Sequence, residues 1–385
     1  MGKNENIVTN ANKSGHEKRN VPTLRFRQFR DDWSIKRLSD IAEVVGGGTP
    51  DTTDSTLWNG DIQWFTPTEV GHSKYVSSSI RTISQLGLKK SSAKKLPAGS
   101  ILLSSRATVG ECSIAQRDCT TNQGFQNLIP KKSVYNEFLY YLTQTKKRHF
   151  VKYASGSTFL EISNSEIKKA ICAIPDIEEQ TEIATFLSAI DMRIEVQNKI
   201  ISKYETLIKG LCDKVFRHNK SIRLSDLVKC RTSTLQESNI AKYRDGEYKV
   251  FGANGVIATI DKYQFKESGI LVLKDGSNAG KVQFASGKYS VIGTSVVLIP
   301  NDVNDAKFLY FALLAVDFDK YKVGSGIPHI YFKDYSNEQI YYPEATLRER
   351  IIKTLSCYET KVEIEKEMLS ALQKQKTFLL QSMFI

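Results

Sequence analysis

Apolar side chains recur at alternating steps of four and three over Ile183, Leu187, Ile190, Ile194, Ile201, Tyr204, Ile208, Leu211 and Val215, broken only at Gln197. The pattern returns 168 residues later as Ile351, Leu355, Tyr358, Val362, Leu369, Leu372, Lys376, Leu379 and Met383. There Lys376 interrupts the stripe and Glu365 takes the slot of Gln197, so that slot is polar in both copies. Such spacing lays one apolar seam along a helix, and two such seams pack knobs into holes. Asp176, after Pro175, reads as an N-cap, with Glu179 three residues on in capping-box position. From there the first helix is expected to reach about Val215, before the polar exit Arg217-His218-Asn219-Lys220. About 40 helical residues make a rod of roughly 60 Å.

Before each rod the pattern changes to short β-type runs divided by Gly, Asn, Asp and Ser. Ser100–Ser104 precedes a turn at Val109-Gly110, as Gly269–Leu273 precedes Ala279-Gly280. Leu128–Pro130 and Val296–Pro300 correspond, and each is followed by an expected helix, containing Phe138–Tyr141 and Phe308–Phe311. The two globules open alike, with Ile35–Ile41 and Ile222–Leu227, but at an offset of 186. The first globule therefore carries about 18 extra residues, which we expect in surface loops, where recognition is built. The chain reads as globule, long helix, globule, long helix.

Composition narrows the function classes. A hydrophobic fraction of 41% over 385 residues supports two cored domains. No run approaches 18 apolar residues, and Met1–Asn20 is polar, which predicts no membrane span, no secretory signal and a disordered basic tail. The six cysteines lack Cys-x-x-Cys spacing and the five histidines are scattered, so no zinc site or disulfide framework is expected, only buried reduced thiols in a cytosolic protein. The net charge of +12 points to a polyanionic partner. Val70–Gly110 holds no acid but carries Lys74, Arg81, Lys89, Lys90, Lys94, Lys95 and Arg106. A second basic group is Lys146, Lys147, Arg148 and Lys152.

Catalytic motifs are weak. Gly276–Val282 is similar to a phosphate loop, but only three residues separate its glycines and Val282 stands where a metal-binding hydroxyl is needed. Glu166-Ile167-Lys168 has the form of a nuclease carboxylate–lysine pair, yet Pro175-Asp176 follows it where it should precede. Neither an Asn-Pro-Pro-aromatic cluster nor a Gly-x-Ser-x-Gly elbow occurs. No catalytic and no metal-ligating residue is assigned.

In order along the chain, Val21–Phe26 with Phe29 and Trp33, Gly47-Gly48-Thr49-Pro50, Pro97–Arg106 and Thr121–Phe125 resemble the specificity subunit of type I restriction-modification systems. Tyr248–Gly255, Asp275–Lys281, and Pro175 with Glu179-Gln180, Ile183, Phe186-Leu187 and Asp191 extend that resemblance over nearly the whole chain from residue 21. The second helix departs from it, with Leu347-Arg348 for Glu-Gln and Glu359 for Asp191. The resemblance implies a mixed α/β fold: two α/β target-recognition domains, each followed by a long helix, the helices packing as an antiparallel coiled coil with pseudo-two-fold symmetry. The expected division is a tail 1–20, a first domain 21–174, a first helix 175–217, a second domain 218–342 and a second helix 343–385.

It further implies a non-catalytic, cytoplasmic DNA reader, each domain taking half of a split target. Two methyltransferase subunits would dock on it and flip out an adenine for N6-methylation with S-adenosylmethionine, and motor-nuclease subunits would add ATP- and Mg²⁺-dependent translocation and cleavage. This chain itself would need no cofactor. In the first domain the expected DNA contacts are Thr66, Thr68, Ser104, Ser105, Arg106, Asn122 and Gln123. Arg106 suits guanine, and Asn122 or Gln123 suits adenine. Lys89, Lys90, Lys94 and Lys95 would hold phosphate. In the second domain the candidates are Lys274, Ser277, Asn278, Lys281, Thr294, Ser295 and His329. Each competes with a plain reading, because turns also need Asn, Ser and Gly. Two other classes stay open: an autonomous nuclease or methyltransferase, and a coiled-coil scaffold without DNA contact.

Overall fold

The computed structural model describes residues 7–9, 20–156, 160–217, 221–324 and 326–385. It divides into one unit of Met1–Glu195 with Ser370–Ile385 and another of Val196–Leu369.

In the first unit a five-stranded sheet runs in the order Ala42–Gly46, Gln126–Pro130, Ile101–Leu103, Cys112–Ala115, Tyr75–Val76. Alternation along a strand decides its two faces. Ile101 and Leu103 pack with Phe138 and Tyr141 of the helix Asn136–Thr145. Leu102 faces the other way, with Phe65, Leu96 and Phe125, towards the sheet formed by Cys119–Thr121, Trp58–Phe65 and Arg81–Ile83. A strand buried on both faces needs the unbroken apolar run found here.

The second unit repeats this plan. Its four-stranded sheet runs Val228–Thr232, Ser295–Pro300, Gly269–Leu273, Val282–Ala285. Ile270 and Val272 meet Phe308 and Phe311 of the helix Ala306–Leu314, and Leu271 lies with Phe265, Tyr289 and Val297. The first unit's excess of about 18 residues falls wholly between Ala42–Gly46 and Ile101–Leu103. It is not plain loop. It contributes the helix Gln85–Lys89 and the edge strand Tyr75–Val76, beside a small core of Leu57, Trp58, Ile62, Trp64, Ile83 and Ala93 whose counterpart in the second unit is Leu235, Val250, Ile260 and Ile292.

The long helices run Ile177–Phe216 and Ala345–Ser382. Within the first unit Ile183, Leu187 and Ile190, with Ile194 against them, share a core with Leu379 and Met383. Within the second, Ile201, Ile208 and Tyr204 meet Leu355, Val362, Ile351, Tyr358 and Leu369; Leu372, in the first unit, is buried too. The start of each helix thus lies with the end of the other, which makes the pair antiparallel. Both polar interruptions are matched across the seam. Buried Gln197 donates to the Glu365 carbonyl at 3.1 Å and to its carboxylate, and Lys376 pairs with Asp191 at 2.7 Å.

Three expectations need correction. Asp176 does cap the first helix, accepting from the Glu179 amide at 2.8 Å. The Glu179 side chain, however, does not close a capping box: its carboxylate accepts from Arg25 Nε and Nη2, both at 2.7 Å, and from Trp33 Nε1 at 3.2 Å. A buried guanidinium needs a carboxylate more than an N-terminal amide does. The supposed tail 1–20 contains a β-branched run, Ile7–Thr9, that pairs antiparallel with Leu24–Phe26; residues 1–6 and 10–19 lie outside the described residues. The cysteines are all free, but Cys357 is exposed and Cys230 half-buried.

The Arg348 departure has a function. Gln180 donates to the Pro175 carbonyl at 2.9 Å and accepts from the Tyr135 amide at 3.0 Å, tying the long helix to the start of Asn136–Thr145. Arg348 donates to the equivalent Pro343 carbonyl at 2.7 Å and to Asp305, at the start of Ala306–Leu314, at 2.8 Å. Different side chains make the same joint.

Candidate nucleic-acid interface

In the first unit the turn Gly47-Gly48-Thr49-Pro50 draws several loops together. A Cβ on Gly47 would sit 2.0 Å from the Asn122 carbonyl, and one on Gly48 would collide with Ser92 and Ala93. No side chain fits at either place. Gly48 N donates to the Thr121 carbonyl at 2.9 Å, its own carbonyl accepts from Trp64 Nε1 at 2.9 Å, and the Thr49 hydroxyl donates to Gln123 Oε1. Asn122 N donates to Phe65 O at 3.0 Å, and Asn122 Oδ1 accepts from Gly124 N at 2.9 Å. Thr66 and Thr68, at the end of the same strand, lie 3.2 Å apart through their hydroxyls. Chain segments far apart in sequence thus form one surface carrying Thr49, Thr68 and Gln123.

Arg106 borders this surface, because Ser105 N donates to Gly124 O at 2.8 Å. Its guanidinium pairs with Glu161 at 2.7 Å, each side chain about 40% exposed (43% and 39%). A pair so open to water is weak and can exchange partners. Other calls fail. Ser104 and Ser105 are fully buried: Ser104 Oγ donates to the Arg106 carbonyl, and Ser105 Oγ has no partner among the described residues. The apolar run of the strand simply continues into them. Thr66 is engaged in capping, its hydroxyl donating to Glu69 at 2.6 Å, and Asn122 Oδ1 is engaged in its turn.

The basic stretch 70–110 resolves into unlike roles. Lys74 is not a phosphate ligand; it is nearly buried between Glu137, at 2.6 Å, and Ser188. Arg81 sits over Trp58, its Cζ 3.6 Å from the ring centroid, a pre-set cation that the basic count could not distinguish from its neighbours. Lys95 pairs with Asp118 at 2.8 Å, both more than half exposed, and with the Ala98 amide it holds that carboxyl below its usual value. Lys89, Lys90 and Lys94 are exposed on the inserted element.

The second unit assembles the matching surface. Asp275 and Val323 both bridge to the backbone of His329, as Arg106 and Ser155 bridge to Glu161 in the first. The side-chain pair there is His329 Nδ1 with Asp275 Oδ1 at 2.8 Å. Lys281 donates to Asn254 Oδ1 at 3.1 Å, joining the Gly252–Gly255 turn to the Ser277-Asn278 loop, whose side chains are exposed. Lys274 N donates to the Thr294 carbonyl at 2.8 Å, and its ammonium is half-buried near Asp275. Ser295 is buried, and among the described residues neither its hydroxyl nor the buried hydroxyl of Thr294 has a partner, so neither faces outward. Asn254 was missed by the sequence reading as a site residue, although its turn was noted. Among the described residues no cluster of His, Cys, Asp and Glu could hold a metal, and no helix is long and apolar enough to cross a membrane.

The model of the type I restriction modification DNA specificity domain matches residues 30–206 and again 217–374. A type I restriction enzyme specificity subunit, MjaIX of Methanocaldococcus jannaschii, is 28% identical over 396 aligned residues, covering 91% of this chain and 92% of the relative. The EcoprrI specificity subunit of Escherichia coli is 24% identical, covering 84% and 86%. Among solved structures, the S subunit of a type I restriction-modification system from M. genitalium aligns with a TM-score of 0.57 at 17% identity, covering 95% of this chain and 99% of that one. A second, from a study of type I system assembly and conformational transition, gives 0.54 at 15%, covering 90% and 96%. These likenesses extend to the fold.

Proposed function

This chain belongs to the type I restriction-modification DNA specificity family, and from that premise we propose that its two loop surfaces read the two halves of a split DNA target. The observation that supports this most directly is the convergence of Thr49, Thr68, Gln123 and Arg106 on one surface, with a counterpart at Asn254, Ser277, Asn278, Lys281 and His329 in the other unit. Such side chains discriminate bases, whereas Lys89, Lys90, Lys94 and Lys95 supply affinity for phosphate alone.

The specificity subunit would act in the cytoplasm, holding duplex DNA for two adenine methyltransferase subunits that use S-adenosylmethionine, and for motor-nuclease subunits that use ATP and Mg²⁺. The chain itself would turn over nothing. Log affinity for duplex should fall steeply with log salt. Methylated-adenine mapping in cells expressing this chain with its methyltransferase should return a bipartite motif. Turnover by the purified chain alone, or affinity indifferent to salt, would refute the proposal.

A further inference from the structure

The second basic group has no role in the reading so far. We infer that the helix Lys147–Tyr153 is a phosphate-binding flank present in the first unit only, gripping duplex backbone beyond the bases its loops read. This rests on the DNA-binding reading and extends it.

A cleft of about 850 Å³ has an apolar floor that includes Val151, Leu380 and Phe384, and its rim carries Lys146, Lys147, Arg148 and Lys152. Not all four cations are available. Lys147 pairs with Glu111, and Lys146 donates to the Ile385 carbonyl at 3.1 Å. Arg148 and Lys152 are exposed, and among the described residues neither has an ion-pair partner. Four residues apart on a helix, they share one face at a rise of about 6 Å. Between them, burial and then Lys146 and Lys152, opposed by Glu166, hold the His149 imidazole below its usual value.

The flank joins the recognition surface directly. The helix ends at Ala154, Ser155 and Glu161 exchange backbone hydrogen bonds at 2.9 Å, and Glu161 holds Arg106. On this inference, the backbone of a duplex read by the Arg106 loop continues over Arg148 and Lys152. An acidic protein segment would need no such continuity with the loops.

The second unit lacks the device. Its matching segment, Val316–Val323, carries Asp317, Asp319, Lys320 and Lys322, where Lys146–Tyr153 carries four cations and no acid. Both of its lysines are engaged, Lys320 with Glu338 at 2.7 Å and Lys322 with Asp319 at 2.6 Å.

The test compares Arg148→Gln/Lys152→Gln with Lys320→Gln/Lys322→Gln in the full chain assembled with its methyltransferase. The first pair should lose affinity for cognate and unrelated duplexes by the same factor. Its log affinity–log salt slope should become shallower by about 1.8, at about 0.9 per phosphate contact. The second pair should keep its slope, and Arg148→Lys/Lys152→Arg should restore the first. An unchanged slope in the first pair, or an equal loss in the second, overturns the inference. So does lost methyltransferase assembly at constant slope, which would give the flank to an acidic protein. Failure of the parent reading is distinguishable: the unaltered chain would show no preference for any duplex.

Discussion

Arg25 and Glu179 are almost completely buried, 6% and 1% exposed by side chain, and Trp33 is the only other side chain donating to that carboxylate among the described contacts. Removing one partner of such a pair leaves an uncompensated charge in the core. Arg25→Met should therefore cost roughly 3–5 kcal/mol, read as a lower urea midpoint, whereas Arg106→Gln, at the half-exposed pair with Glu161, should cost at most about 1 kcal/mol yet reduce discrimination at one base. Equal destabilisation by both would contradict this assignment of roles. Glu137 adds a pH dependence. Burial raises its pKa, but hydrogen bonds from Lys74, Tyr75 and Ser188 outweigh burial and leave the carboxyl below its usual value. A depressed folded value contributes stability that is present above the unfolded value, near 4.3, and lost as pH falls through the folded one. Glu137→Gln should flatten the acid limb of a stability–pH curve below about pH 4.3; an unchanged limb would show that other carboxylates set it. The same residues show what sequence conveys. Lys74 reads as one cation in a basic run, because its partners lie 63 and 114 positions away.

At the scale of elements, the paired helices were legible because a seam is a local, periodic property. Gln197 and Glu365 occupied one slot in both copies, and they meet across the interface. A polar pair at least partly buried in such a seam usually specifies register while lowering stability. Gln197→Leu/Glu365→Leu should raise the melting temperature, and disulfide cross-linking across the seam should then trap more than one register. A variant that melts lower would give the pair a stabilising role instead. The loops were less legible, for a physical reason. Ser104 and Ser105 follow Leu102-Leu103 without a break, and nothing local tells whether a serine at a strand end points to water or to the core. Arg106, the next residue, does reach the surface. The extra 18 residues could be counted from the offsets, but not recognised as an edge strand and a helix, because Tyr75–Val76 joins its sheet only by pairing with the distant Ile114 and Ala115.

At the scale of the molecule, each long helix starts among the residues of one unit and ends among those of the other. Helix length should therefore control the gap between half-sites. Excising the heptads centred on Gln197 and Glu365 together keeps both seams in phase and shortens each helix by about 10 Å. At 3.4 Å per base pair the tolerated spacer should contract by about three base pairs. The two helices differ in twist, however. A heptad rotates an α-helix by only about 20° against its seam, while three base pairs remove nearly a third of a duplex turn of 10–10.5 base pairs. The shortened protein should consequently read both original half-sites at the new spacing, but with reduced affinity, because DNA or loops must absorb the mismatch in twist. Methylome mapping of this variant would show the contracted motif. Retention of the original spacing would mean that the helices do not measure the gap.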